Sequence, residues 1–200
     1  RKEPLRWGSE EYPKKVSLLD LSNSYVFDDS SRIFKTTNSG NNWFFTSSIF
    51  GKINDFFFVN QYKGFVITDA AVYITTNSGV NWVSLLADYS SLKYLSINFI
   101  DSQTGFLSAL DNQTNYAIVL KTINGGLNWF EYNTSIDGYE INNIYFINSA
   151  TGYCAGSRFN NLFVIKTTNG GINWFESHTL YNSFTPNNLY FYDINTGYIS

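Results

Sequence analysis

Two hundred residues suffice for one domain with a sizeable core, and a composition of 44% hydrophobic and 19% aromatic residues supplies the material for it. Charged residues make up only 14% of the chain and the net charge is −3, which excludes the basic surface that nucleic acid or an anionic membrane requires. No apolar run approaches the ~18 residues of a membrane-spanning helix, and a single cysteine, Cys154, excludes an intrachain disulfide.

The first fifteen residues hold Pro4, Pro13 and most of the local charge, with no apolar core of a signal peptide. They are expected to be a linker or the remnant of a preceding element. From residue 16 the chain repeats itself. The first repeat, 16–47, supplies three strands and the stretch FKTTNSGNNWFF (34–45), with Ser24 where later repeats place glycine. The second, 53–86, reads FFFVNQYKGFVIT and then YITTNSGVNWVS. The third, 94–133, reads NFIDSQTGFLSA and then LKTINGGLNWFE. The fourth, 141–178, reads YFINSATGYCAG and then KTTNGGINWFE. A fifth, 187–200, holds YFYDINTGYIS and covers two strands.

Each repeat is thus an apolar strand, a polar turn ending in Gly (Gly64, Gly105, Gly152, Gly197), a second apolar strand, and then a second hairpin ending in tryptophan. The tryptophans Trp43, Trp82, Trp129 and Trp174 are spaced 82−43 = 39, 129−82 = 47 and 174−129 = 45 residues apart. Periods of ~40–50 residues built from short strands predict propeller blades. In the third repeat the strands fall near 94–100, 105–110, 116–122 and 128–133. In the fourth they fall near 141–147, 152–157, 162–168 and 173–178. Val, Ile, Phe, Tyr and Thr dominate these runs, as strands prefer, and no helical period persists. The expectation is an all-β fold, a β-propeller of four-stranded antiparallel blades. It is expected to be partial, four blades and the first half of a fifth, as a fragment of a longer propeller. The alternative is that the N-terminal segment supplies the missing strands and closes a small ring, for which Pro4 and Pro13 are poor material.

The repeated turn reads TTNSGNNW, TTNSGVNW, TINGGLNW and TTNGGINW. Its third-place asparagine (Asn38, Asn77, Asn124, Asn169) is expected to bond the backbone two residues on and to tolerate left-handed geometry. Its fifth-place glycine (Gly40, Gly79, Gly126, Gly171) is expected at positive φ. The closing tryptophan is expected to pack; full burial of ~150–250 Å² corresponds to at most ~4–6 kcal/mol. These are structural roles.

The eight-residue pattern resembles the Asp-box, or BNR, repeat. With the preceding F-x-[DN]-x-x-x-G-[FY] motif, it is closer still to the propellers of photosystem II assembly and stability factors, whose bacterial relatives occur in secreted and cell-surface proteins. The resemblance covers residues 33–200 well and 16–32 weakly. Asn stands uniformly at the third place for Asp and at the seventh for Thr. The resemblance implies a structural turn away from the functional surface, and a secreted, periplasmic or cell-surface setting. It implies binding of a photosystem subunit only in a phototroph.

Asp-box propellers include glycosidases, whose catalytic groups are recognisable by type and number. A sialidase needs three arginines clamping a carboxylate; of Arg1, Arg6, Arg32 and Arg158, only two lie within repeats. A two-carboxylate glycosidase needs a facing pair. Asp101 and Asp193 both follow a first strand, but Asn60 and Asn148 hold the equivalent places, which marks a turn residue. His178 has no readable partner, Cys154 reads as a buried small hydrophobe, and no metal or phosphate motif appears. No catalytic residue, metal or cofactor is expected.

In a blade the two repeated turns lie on one face. The strand-two-to-three loops and the inter-blade connections lie on the other, and there this sequence varies. Such loops on a rigid scaffold are the usual place for binding. They carry Asp88, Tyr89, Lys93, Asp111, Tyr116, Tyr139, Glu140, Arg158, Tyr181 and Phe184. Aromatics beside charged groups suit a protein partner or a sugar chain. The expected function is a non-catalytic scaffold for protein binding. A carbohydrate-directed module or a sialidase- or xyloglucanase-like glycosidase, its catalytic residues in missing blades, is the alternative.

Overall fold

The computed structural model describes residues 13–86, 91–137, 140–158, 161–183, 186, 188–193 and 196–200. Eighteen strands and no helix occur among them, so no helix is long and apolar enough to cross a membrane. The chain divides into two compact units, Arg1–Asp88 and Tyr89–Ser200.

The first unit holds two four-stranded antiparallel sheets. One is β1 (Pro13–Leu18), β2 (Ser24–Asp28), β3 (Arg32–Thr36) and β4 (Phe44–Ser48); the other is β5 (Ile53–Phe58), β6 (Gly64–Thr68), β7 (Val72–Thr75) and β8 (Val83–Leu86). The second unit holds β9 (Leu92–Phe99), β10 (Gly105–Asp111), β11 (Tyr116–Thr122) and β12 (Phe130–Asp137), then β13 (Glu140–Phe146), β14 (Gly152–Arg158), β15 (Asn161–Thr167) and β16 (Phe175–Ser183). A hairpin, β17 (Leu189–Phe191) and β18 (Gly197–Ile199), completes it. Every sheet is ordered as its strands occur in sequence, as in propeller blades. The first sheet has the four strands expected of a blade, but β1 begins at Pro13, inside the segment expected to be a linker, and a proline is tolerated at the first residue of a strand.

Burial follows strand position. The second strand of a blade is buried from end to end in β2 and β6, while no residue of the outer strands β4 and β8 is buried. Neighbouring blades meet through an aromatic column that repeats with the sequence. Within each unit, the residue after the blade's glycine place stacks on a phenylalanine six residues before the glycine of the next blade. Tyr25 lies 3.5 Å from Phe58 at 4°, Phe106 lies 3.4 Å from Phe146 at 3°, and Tyr153 lies 4.2 Å from Phe191 at 24°. The blade's tryptophan meets the same phenylalanine edge-on, as in Phe58–Trp82, Phe99–Trp129 and Phe146–Trp174, the geometry that aromatic quadrupoles prefer.

This column explains the conserved spacing of the glycines. Gly64, Gly105, Gly152 and Gly197 are not at positive φ. A Cβ on any of them would sit within 2.5–2.6 Å of the phenylalanine ring on the facing strand. The glycine is needed so that the ring can lie flat on the backbone. Where the first blade has Ser24, the ring's place is taken by Leu18, which is 77% exposed and leaves room for a Cβ. The tryptophans are half-buried rather than enclosed, so each contributes less than the full-burial figure; their role is the edge contact.

Candidate functional site

The repeated turns consume their own polar groups. The first-place hydroxyl of Thr36, Thr75, Thr122 and Thr167 accepts the fifth-place glycine N–H at 3.0, 3.0, 2.8 and 3.1 Å. The same hydroxyl donates to the Oδ1 of Asn38, Asn77, Asn124 and Asn169 at 3.0 Å. That Oδ1 accepts the seventh-place N–H of Asn42, Asn81, Asn128 and Asn173 at 2.9 Å. The asparagine therefore bonds four residues on, not two, and it is not left-handed. The left-handed residues are the fourth and fifth places together: Ser39 and Gly40, Ser78 and Gly79, Gly125 and Gly126, Gly170 and Gly171. Two left-handed residues in succession bring the seventh-place amide back over the asparagine, which shortens its reach to a backbone donor.

The fourth-place N–H then donates across to the first hairpin of the same blade. Ser39 reaches Ser22 O at 3.0 Å, Ser78 reaches Tyr62 O at 2.9 Å, Gly125 reaches Gln103 O at 2.7 Å and Gly170 reaches Ala150 O at 2.8 Å. Both turns thus share one face of each blade, and their backbone groups pair with one another.

The carboxylates of this face are consumed too. Asp101 Oδ1 accepts the N–H groups of Gln103 and Thr104, each at 2.7 Å, and these bonds hold its carboxyl below the usual aspartate range. Asp193 accepts the Thr196 N–H at 2.8 Å. Asp20, Asn60 and Asn148 make the same bonds in their blades. The two aspartates considered for glycoside cleavage cap turns.

The opposite face of the second unit brings part of the expected binding set together. Register places Asp111 opposite Leu92, Tyr116 opposite Asp137 and Glu140 opposite Ser157, at one end of their sheets. Lys93 Nζ meets Glu140 Oε1 at 3.1 Å, with both side chains near two-fifths exposed. This pair joins the first strands of successive blades. An ion pair so exposed contributes ~0–1 kcal/mol to stability, so its charges remain available to a ligand. Tyr116, at the start of β11, is half-buried. Asp111 caps the β10–β11 turn. Its Oδ2 accepts the Thr114 hydroxyl at 2.7 Å and its Oδ1 accepts the Gln113 N–H at 2.8 Å, and the Thr114 bond foremost lowers its pKa. Asp88, Tyr89, Tyr139 and Phe184 lie outside the described residues, as do the side chains of Arg158 and Tyr181.

Three groups not singled out from sequence hold this end of the scaffold. Asn143, buried on β13, donates Nδ2 to Pro186 O at 3.1 Å and pins the connection leaving β16. Asn98 Oδ1 accepts the Phe146 N–H at 3.1 Å, and Ser108 Oγ donates to Ile141 O at 2.9 Å, both across the blade boundary. The signal was available: each is a polar residue interrupting an apolar strand. Cys154 is fully buried, and burial pushes its thiol well above the usual range. His178 is exposed on β16. Among the described residues no cluster of three His, Cys, Asp or Glu could hold a metal ion.

No family model and no curated protein sequence matches the chain. Solved structures do. YCF48 bound to a D1 peptide superposes with a TM-score of 0.60 at 14% identity, over 99% of this chain and 78% of that one. YCF48 from Cyanidioschyzon merolae gives 0.52 at 13% identity, over 88% and 76%. The WD40 β-propeller domain of Doa1 gives 0.64 at 12% identity, over 96% and 62%. The fold is a β-propeller. At these identities the likeness establishes the fold alone.

Proposed function

We propose that this chain is a non-catalytic β-propeller scaffold that binds a protein partner through the loop face around Lys93, Tyr116 and Glu140. The observation that carries the reading is the likeness in fold to YCF48, a propeller whose structure holds a bound peptide. The chemistry of the two faces supports the choice of surface. On the turn face the repeated polar groups are bonded to one another, whereas the loop face presents an exposed ion pair and, at the same end of the sheet, a half-buried tyrosine. Charged and aromatic groups of this kind steer and anchor protein partners. The turn is read as an Asp-box variant with asparagine in the aspartate place, and the setting as a secreted or cell-surface protein.

The test is affinity capture from the source cells with the full chain, wild type against a Lys93→Ala, Tyr116→Ala, Glu140→Ala variant of unchanged melting temperature. A protein retained by the wild type and lost with the variant supports the reading. Equal retention by both moves the site elsewhere. Retention of a glycan in place of a protein favours the carbohydrate alternative, and glycoside hydrolysis by the purified chain overturns the non-catalytic assignment.

A further inference from the structure

The dipeptide Asn–Gly occurs twice in the chain, as Asn124–Gly125 and Asn169–Gly170, and both copies fill the third and fourth places of the repeated turn. In the first two turns serine takes the fourth place, as Ser39 and Ser78. An asparagine followed by glycine is the pair most open to cyclisation. No Cβ shields the glycine nitrogen, and glycine's backbone freedom lets that nitrogen reach the asparagine side chain.

The fold holds both reacting groups. The Gly125 N–H donates to Gln103 O at 2.7 Å and the Gly170 N–H to Ala150 O at 2.8 Å, and both glycines are buried. Asn124 Oδ1 accepts the Thr122 hydroxyl at 3.0 Å and the Asn128 N–H at 2.9 Å. Asn169 Oδ1 accepts the Thr167 hydroxyl at 3.0 Å and the Asn173 N–H at 2.9 Å. Cyclisation requires the glycine nitrogen to lose its proton and move onto the asparagine Cγ, so these bonds must break first. In the fourth blade the glycine is held again, because Lys121 Nζ, from the preceding blade, donates to Gly170 O at 3.2 Å. Serine does not fit there as it does in the first two turns: a Cβ on Gly170 would lie 2.8 Å from Ser149 O. Packing thus imposes a labile pair at Asn169–Gly170, and hydrogen bonds restrain it.

We propose that Asn124 and Asn169 are sites of self-modification, each gated by the opening of its own turn. In the open turn, water or hydroxide takes the glycine N–H proton. The nitrogen attacks Cγ of the asparagine, the Cγ–Nδ2 bond breaks and ammonia leaves, which closes a cyclic imide. Water then opens the ring. Addition at the Cγ carbonyl leaves aspartate, which keeps both acceptor bonds of the turn and makes them charge-assisted. Addition at the asparagine's main-chain carbonyl leaves isoaspartate, whose main chain runs through Cγ and lengthens the turn by one carbon. The first product adds a negative charge to the turn face; the second breaks the frame of its blade. The sites are separate from the loop face and stand whether or not that face binds a partner.

The test incubates the full chain at mildly alkaline pH, folded and in urea, with peptide mapping that separates asparagine, aspartate and isoaspartate. In urea, Asn124 and Asn169 are expected to convert ahead of Asn38 and Asn77, whose following serines hinder the attack. Folding is expected to slow both sites at least about tenfold, because each turn opens against its hydrogen bonds. The same slowing, within about threefold, is expected in the amide exchange of Gly125 and Gly170, since one opening frees the N–H for both reactions. Lys121→Met should raise the Asn169 rate about two- to fivefold and leave Asn124 unchanged. Gly125→Ser, the residue type of Ser39 and Ser78, should silence Asn124 alone. Equal rates in the folded and unfolded chain overturn the proposal. So does slowing without protection of the glycine amides, or conversion in urea that falls mainly on other asparagines.

Discussion

Gly152→Ala tests the packing argument at one atom. The added Cβ would lie 2.6 Å from Cδ1 and Cε1 of Phe146, about 1 Å inside ordinary van der Waals contact. The ring cannot slide away, because Phe106 is stacked against its other side at 3.4 Å and Trp174 meets its edge at 5.8 Å. Overpacking of this kind costs ~1–3 kcal/mol, and in a chain of 200 residues that lowers the melting temperature by ~2–4 °C per kcal/mol. The first blade shows the remedy, since Ser24 is accommodated where Leu18 replaces the phenylalanine. Phe146→Leu should therefore rescue Gly152→Ala. In urea unfolding followed by tryptophan fluorescence, the double variant should be more stable than the sum of the single losses predicts, by at least ~1 kcal/mol. A neutral Gly152→Ala, or strictly additive losses, would refute the account of why glycine stands there.

Other outcomes follow from the turns. Asn124→Ala strips the acceptor from the Asn128 amide and the Thr122 hydroxyl and should cost ~1–3 kcal/mol by thermal denaturation, whereas Asn124→Asp keeps both bonds, makes them charge-assisted, and should be at least as stable at neutral pH. The depressed pKa of Asp101 contributes stability that is present above the unfolded carboxyl pKa of ~4 and is lost as pH falls through the lower folded value; Asp101→Asn, the residue type found at Asn60 and Asn148, should flatten the acid limb of a stability–pH curve and leave the neutral value little changed. Lys93→Ala should shift the melting temperature by less than the width of a surface pair's contribution, ~1 kcal/mol, so any loss of partner binding reports on recognition. Cys154, buried with a raised pKa, should react with a thiol reagent only at the rate of unfolding.

The fold was legible because its determinants are local and recur. A glycine that must admit a ring, an asparagine that must receive an amide and a tryptophan that closes the turn recur at fixed spacing, with Ser24 the exception at the glycine place, so the copies read as one rule. What the sequence hid was the partner of each residue. Gly152 pairs with Phe146, six residues earlier in the chain, but the reason for the pairing is Phe106 in the preceding blade, and no single repeat contains that contact. The third-place asparagine was misread for the same reason: a tabulated preference for short Asx turns competes with a doubly left-handed turn that only Ser39–Gly40 and their equivalents create. The strand at Pro13–Leu18 was partly missed because its apolar residues Val16 and Leu18 are exposed and the strand begins on proline. The loop face was legible only as a location. Lys93 and Glu140 stand on different blades, 47 residues apart, and their meeting at 3.1 Å depends on how the first strands pack.

The division of labour between the two faces has a physical basis in this chain. On the turn face one alphabet is written four times; its hydroxyls, side-chain amides and carboxylates close hydrogen bonds within their own turns, and its backbone amides reach the neighbouring hairpin of the same blade. A group already holding two good bonds has little to gain from a ligand, because any new contact must first break an old one. The polar groups between blades vary instead: Ser17 accepts the Phe58 amide, Asn98 accepts the Phe146 amide, and Tyr145 donates to the Phe191 carbonyl. These three residues occupy the same place, seven before the glycine position, so the scaffold tolerates different chemistry there provided one bond to the next strand is made. Variation at a position that must keep a bond, and wider variation in loops that need keep none, lets one repeated frame present a non-repeating surface. Recognition by this propeller is therefore expected to depend on residues that differ between blades, and substitution of a repeated residue should alter binding only by altering the frame.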